Sequence, residues 1–390
     1  MARLKSSVRK QREGKALSDE GFLLCADGSV FRGRVMGARA RVEAELVFHT
    51  GHTGYQEMLT DPSYCKQILC FTAPQIGNQG VHPDDWESSR AWAEGLLIRD
   101  LCDAQFHWRY HESLESFCKT QNIAALVGAD TRRLVNKLRI EGAQTALLCT
   151  DGSSVEQVRK SWKSQMQMQG LSLVKEVSTK KSYRWTMGSF PLLDPHWKTG
   201  ASNLKRCVVL DFGVKRQILR YLIDAGFEEL WVLPCSSSYE EVLALRPDAM
   251  VLSNGPGDPS AEPDLVELIE SFIGLFPVLG ICFGHQLLAQ ALGQKTYKLK
   301  YGHRAANHPV WDTRRQRAAM SSQNHGFAAE AFGDPKMAEL IHLNDQSLAG
   351  FVDADRQVAG FQFHPEASPG PLDWRDIFYE FREGSLWKNS

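Results

Sequence analysis

The sequence predicts an α/β protein in two parts: a C-terminal doubly wound, mostly parallel sheet, preceded by a mixed α+β N-terminal domain. Two observations carry this. From residue 205 onward, short apolar runs alternate with amphipathic segments, four strand–helix units in succession. Between Gly21 and about Gly152, strand and helix patterns follow one another without that alternation. A chain of 390 residues is long enough for two or three domains and for a core that needs no staples.

In the first part, "GFLLCADGSVFRGRVMG" reads as strand, Asp27-Gly28 turn, strand. "EAELVFHTG" reads as another strand. "HESLESFCKTQNIAALV" and "TRRLVNKLRIEG" carry apolar residues at helical spacing. Residues 160–204 are polar or turn-rich and read as connection. The expected organisation is a basic extension over 1–20, a domain over 21–190, a linker over 191–204 and a domain over 205–390.

In the second part, "RCVVLDF" is an apolar strand. The helix "VKRQILRYLIDAG" follows, with Ile218, Leu219, Leu222 and Ile223 on one side and Gly226 ending it. "ELWVLP" is a strand, and "SYEEVLALRP" a helix capped by Ser238. "AMVLS" is a strand, and "PDLVELIESFIG" a helix. "FPVLGI" is a strand that runs at Cys282 straight into a further helix. Ligands on such sheets bind beyond the carboxyl ends of the strands. Cys282 and the turn "SNGPGDP" both fall there.

Composition excludes several classes. Lys+Arg is 45 and Asp+Glu 46, so no global charge favours nucleic acid or an anionic membrane. No apolar run approaches the roughly 20 residues a bilayer demands. The start, "MARLKSSVRKQREGK", is basic and lacks the apolar region of a secretory signal, so a frayed extension is expected. The 9 cysteines are odd in number and include no C-x-x-C pair. That points to a reducing, cytoplasmic compartment, with most thiols as small core residues. There is no G-x-x-x-x-G-K-[ST] loop and no His/Cys/Asp cluster at ligand spacing, so neither a nucleotide cofactor nor a metal is expected in this chain.

Gly280-Ile281-Cys282-Phe283-Gly284 has the glycine–nucleophile–glycine form of a sharp strand-to-helix turn. Such a turn lifts the nucleophile above the sheet, and the helix directs its N-terminal dipole at the sulfur, favouring thiolate. A thiolate needs a proton acceptor and a group to orient it. "GFQFHPEASPGP" supplies both past a strand end: His364 to take the proton and Glu366 to hold the imidazole. The backbone N–H groups of Phe283 and Gly255 are candidate oxyanion donors.

These residues resemble a known family. "SNGPGDP", "GICFGHQ", "SSQNHGF" and "FQFHPEASPGP" are similar to the class I (triad) glutamine amidotransferases, a set shared by the anthranilate synthase and GMP synthetase amidotransferases. "HTGHTGYQEMLTDPSYCKQILCFTAPQIGNQGV", "GADTRRLVNKLR" and "DFGVKRQILRYL" narrow it to the small, glutamine-hydrolysing subunits of carbamoyl-phosphate synthetases. The likeness runs from about residue 21 to about residue 383.

The resemblance implies that Cys282 attacks the side-chain amide of L-glutamine, with His364 as acid and base and Glu366 as its partner. It implies that Gly257, Gln286, Asn324, Gly326 and Phe327 bind the glutamine, beside Gly255 and Phe283. Ammonia would pass to a large subunit that makes carbamoyl phosphate from bicarbonate, for pyrimidine or arginine synthesis. ATP and Mg would belong to that subunit. The family usually has Ser or Ala where this chain has Gly51. Gly51 can offer only its backbone, so somewhat weaker glutamine binding is expected. Ala305 and Ala306 stand where glycines are common.

Overall fold

The computed structural model describes residues 19–102, 105, 107–163, 166–189, 203–334 and 336–388. The basic extension through residue 18 and linker residues 191–202 lie outside them.

The first unit is built on a closed barrel. Its elements are β1 (Glu20–Cys25), β2 (Val30–Gly37), β3 (Arg41–His49), α1 (Tyr55–Thr60), β4 (Gln67–Phe71), β5 (Gln75–Ile76), β6 (Gly95–Ile98), β7 (Asp100–Leu101), α2 (Leu114–Thr120), β8 (Ala124–Val127), α3 (Thr131–Glu141) and β9 (Gln144–Cys149). The barrel order is β1-β2-β8-β6-β4-β3-β9, while β5 and β7 pair apart from it. β1 and β2 form a hairpin over Asp27-Gly28, with Gly28 at φ 86° and Ser29 N donating to Asp27 Oδ1 at 3.0 Å. Asp130 caps α3 by accepting from Arg133 N at 3.1 Å.

One expectation fails here. "HESLESFCKTQNIAALV" is helical only as far as Thr120; the chain turns at Asn122, φ 56°, and Ala124–Val127 becomes β8. Five consecutive apolar residues from Ile123 cannot show one helical face, and between β2 and β6 a strand buries both of its faces.

α4 (Val155–Ser161) and α5 (Val174–Val177) follow. The second unit comprises β10 (Tyr183–Trp185), β11 (Arg206–Asp211), α6 (Arg216–Asp224), β12 (Glu229–Pro234), α7 (Tyr239–Ala244), β13 (Ala249–Leu252), α8 (Pro263–Glu270), β14 (Val278–Ile281), α9 (Phe283–Ala291), β15 (Thr296–Asp312), β16 (Arg317–Ala329), β17 (Ala338–His342), β18 (Leu348–Asp353), β19 (Val358–Phe361) and α10 (Asp376–Glu383). Its sheet runs β10-β12-β11-β13-β14-β19-β18-β17-β15-β16. Strands β12, β11, β13, β14 and β19 are parallel; the flanking strands are antiparallel.

The sheet is therefore mixed rather than mostly parallel. After α9 the strands are joined by turns with no helix between, and short connections force antiparallel pairing. β10 also lies on the near side of the expected boundary at residue 190, yet it pairs with β12 of this sheet.

The central strands are buried on both faces, and alternate side chains enter two cores. Val209, Val251 and Leu279 pack with Leu222 and Phe378 on the α6 and α10 side. Val208, Met250 and Val278 pack with Val242, Ile269 and Leu287 on the α7, α8 and α9 side. Residues Phe283–Ala289 of α9 are all buried, so α9 is locked between sheet and neighbours, and truncating Leu287 to Ala would cost about 2–5 kcal/mol. That rigidity fixes the carboxyl ends of β13, β14 and β19, where the site lies. Among the described residues no helix is long and apolar enough to cross a membrane.

Candidate active site

Cys282 joins β14 to α9 at φ 54°, ψ −101°, a conformation that strains any residue but glycine. Its backbone N–H donates to Phe361 O of β19 at 2.8 Å. The flanking glycines are required by contact. A Cβ on Gly280 would lie 2.7 Å from Gly284 O, and one on Gly284 would run into Leu252 O of β13. Cys282 is 2% exposed, and its sulfur lies 3.5 Å from Asn324 O.

His364 follows β19, held by its N–H donating to Ser322 O of β16 at 2.8 Å. A tight turn, Ala367 N to His364 O at 3.0 Å, brings Glu366 back against the ring. His364 Nδ1 donates to Glu366 Oε1 at 2.6 Å, and among the described residues Nε2 has no hydrogen bond of normal geometry. Burial resists a charge on His364, but the Glu366 carboxylate and the Cys282 sulfur overcome it and raise its pKa above the ordinary imidazole range.

The structure adds Lys215. Its Nζ donates to the same Glu366 Oε1 at 2.9 Å and to Ala367 O at 2.6 Å, and the Lys215 and Glu366 side chains are 3% and 0% exposed. Burial alone would raise the Glu366 pKa; the Lys215 ammonium, then the His364 ring, pull it down to about 2. Lys215 is itself held charged against burial by Glu366 and Glu87. Lys215 lies in "DFGVKRQILRYL", and only its burial beside Glu366, 151 residues away in sequence, gives it a role. No periodicity marks it.

A cleft opens on the sulfur. Gly255, Gly257, Cys282, Phe283, Gln286, Asn324, Gly326 and Phe327 all line it. His364, Glu366 and Gly51 are not among the lining residues. The Gly51 N–H donates to His49 Nδ1 at 2.8 Å, so that donor is spent within the chain. Burial, more than the neighbouring Arg304, lowers the pKa of His49 to about 3 and keeps Nδ1 an acceptor.

Among the described residues, neither Gly255 N–H nor Phe283 N–H meets a protein acceptor. Gly255 must be glycine, because a Cβ would run into Phe212 O. Gln286 Nε2 donates to Phe327 O at 2.7 Å and to Gln362 Oε1 at 3.0 Å. Asn324 Nδ2 donates to Asp61 Oδ2 at 3.0 Å, and Asn254 Nδ2 to Asp61 Oδ1 at 3.2 Å, so one carboxylate of the first unit holds two site residues of the second.

The first unit also walls the cleft with Glu45, Ser63 and Gln67, facing Arg304 of β15. Glu45 accepts from Gln67 Nε2 at 3.0 Å and Lys298 Nζ at 2.7 Å, with Arg304 Nη2 3.8 Å away. None of these carries a motif signal.

Comparison with known proteins agrees with this geometry. Residues 23–148 match the family "Carbamoyl-phosphate synthase small chain, CPSase domain", and residues 208–383 match "Glutamine amidotransferase class-I". The chain is similar to the carbamoyl phosphate synthase small chain of Syntrophotalea carbinolica, 41% identical over 366 residues, 93% of this chain and 97% of that one. It is also similar to the small chain of Pseudomonas putida, 44% identical over 373 residues, 94% of this chain and 98% of that one. A solved glutamine amidotransferase from Thermotoga maritima overlays 42% of this chain and 77% of its own at 21% identity and a TM-score of 0.34, too loose a likeness to argue from. With near-complete coverage of relatives above 40% identity, the chain belongs to the carbamoyl phosphate synthase small-chain family.

Proposed function

We propose that the chain hydrolyses L-glutamine and delivers the ammonia to an ATP-dependent large subunit. The observation that carries this is the strained Cys282 at the start of α9, backed by the buried His364–Glu366–Lys215 row. The Cys282 thiolate adds to the side-chain amide carbon, and the developing oxyanion accepts from the N–H groups of Phe283 and Gly255. Protonated His364 gives its proton to the departing nitrogen, so ammonia leaves and a glutamyl thioester remains. His364, now neutral, takes a proton from water as that water attacks the thioester. Glutamate departs, and the Cys282 thiolate and His364 cation are restored. Glu366 supports the cation throughout, and Lys215 keeps Glu366 ionised.

Gly257, Gln286, Asn324, Gly326 and Phe327 would position the substrate. Glu45 and Arg304 supply one charge of each sign for the zwitterionic end of an amino acid. The large subunit would use the ammonia with bicarbonate to make carbamoyl phosphate, and ATP and Mg would be bound there.

Cys282→Ser is the test. Glutaminase activity should fall by at least a thousandfold, while a carbamoyl-phosphate synthetase large subunit mixed with the variant should still make product from added ammonia. Glutamine hydrolysis by the variant at the parental rate would overturn the nucleophile. Failure of the parental chain to make any such large subunit glutamine-dependent would overturn the partner.

A further inference from the structure

Sequence spacing gives no sign of a metal site, yet the fold assembles one set of ligands. His303 and His308 come from β15, His342 ends β17, and Asp345 lies in the turn before β18. One nitrogen from each imidazole lies within 4.8 Å of the others. His342 Nε2 is 3.0 Å from His308 Nδ1, His303 Nε2 is 2.8 Å from Asp345 Oδ2, and His342 Nδ1 is 2.9 Å from Asp345 Oδ1. The His303 and His342 rings stack at 4.1 Å, and among the described residues the buried His303 Nδ1 meets no hydrogen-bond partner.

We propose that His303, His308, His342 and Asp345 bind one divalent transition-metal ion, zinc before others, at a site separate from the glutamine cleft. Three imidazoles and one carboxylate are a ligand set for zinc, whereas calcium and magnesium take mainly oxygen. A tetrahedral ion with bonds of about 2.0–2.1 Å holds its ligand atoms about 3.4 Å apart, so the rings must turn and close inward by about 1 Å. Asp345 can follow, because its side chain is 39% exposed, and it also offers the entry path.

His325 packs edge-on against His303 at 4.9 Å but is excluded as a ligand. Its Nδ1 is 2.6 Å from Phe327 O and its Nε2 3.0 Å from Gln323 Oε1.

The ion would tie β15 to β17 and to the β17–β18 turn, behind Arg304 and Asn324, which face each other in the β15–β16 register. Nothing in the proposal requires Cys282 to hydrolyse glutamine.

The test uses the full chain carrying Cys282→Ser, so that the reactive thiol cannot bind the probe. After treatment with a chelator, the protein is titrated calorimetrically with zinc chloride, and separately with cobalt(II) chloride while visible absorption is followed. One zinc per chain is expected, with a rise in thermal midpoint at saturating zinc and the intense absorption of tetrahedral cobalt. Asp345→Asn should weaken zinc binding about 10–100-fold, and His308→Ala should remove the cobalt spectrum. Both residues are less buried than His303 and His342, so these variants should fold even if His342→Ala does not. No zinc uptake by the Cys282→Ser chain, or uptake that adding Asp345→Asn or His308→Ala to it leaves within twofold, would overturn the site.

Discussion

Lys215 and Gly51 show how much single positions decide at this site. Lys215 stands between the carboxylates of Glu366 and Glu87, and removing one partner of a buried pair leaves the other uncompensated, at a cost of about 3–5 kcal/mol. Lys215→Met should lower stability by that order. It should also let the Glu366 pKa climb from about 2 toward the ordinary carboxylate range, so that Glu366 protonates at higher pH. The acid limb of the glutaminase pH profile should therefore move to higher pH; an unmoved limb would show that Lys215 does not hold Glu366 ionised. At Gly51 the family's hydroxyl cannot simply be restored. A Cβ there would lie 2.8 Å from His49 Cε1 and 3.2 Å from Met58 Cε. Gly51→Ser should cost about 1–3 kcal/mol in urea unfolding through overpacking. Tighter glutamine binding with no loss of stability would mean that the His49 ring moves aside freely.

The β14–α9 junction is the element on which the chemistry stands, and its strain can be measured. Cys282→Gly and Cys282→Ala should both abolish glutaminase. The glycine variant should be the more stable by about 1 kcal/mol, because glycine accepts φ 54° while alanine keeps the strain. An alanine variant as stable as the glycine variant would show that the elbow stores none. This junction was legible in the sequence because its logic is local: an apolar strand, two glycines two residues either side of a cysteine, and a helix. His364 and Glu366 were legible for the same reason, since one turn holds both. Lys215, Asp61, Glu45 and Arg304 were not. Each earns its place only by meeting residues far away in the chain, as Asp61 meets Asn324 across 263 positions. β8 has the same cause: its burial between β2 and β6 outweighs a short helical-looking pattern. The antiparallel half of the second sheet leaves no such signal, because hairpin strands after α9 lack the strand–helix rhythm of the first half.

For the whole molecule, the groups packed between the two units oppose one another in pH. Glu57 on α1 faces a cavity shared with Asp84, Asp85, Arg220 and Glu366. Burial first, then the Asp85 carboxylate, raises its pKa from 4.5 to about 8. Between those values the folded chain keeps a proton that the unfolded chain has lost, so stability falls as pH rises through that window. Glu366 acts in the other direction. Its contribution is full above the unfolded value of 4.5 and is lost as pH falls toward about 2. The Glu87 carboxyl is also raised, chiefly by burial and against the pull of Lys215, so its contribution too falls as pH rises above the ordinary carboxylate value. Glu57→Gln keeps the shape of the protonated acid and removes its share of that loss. The variant should unfold at higher urea than the parental chain at pH 8.5, and the two curves should converge at pH 4, where Glu57 is protonated in both folded and unfolded chains. A gap of equal size at both pH values would assign the difference to packing and remove Glu57 from the pH response.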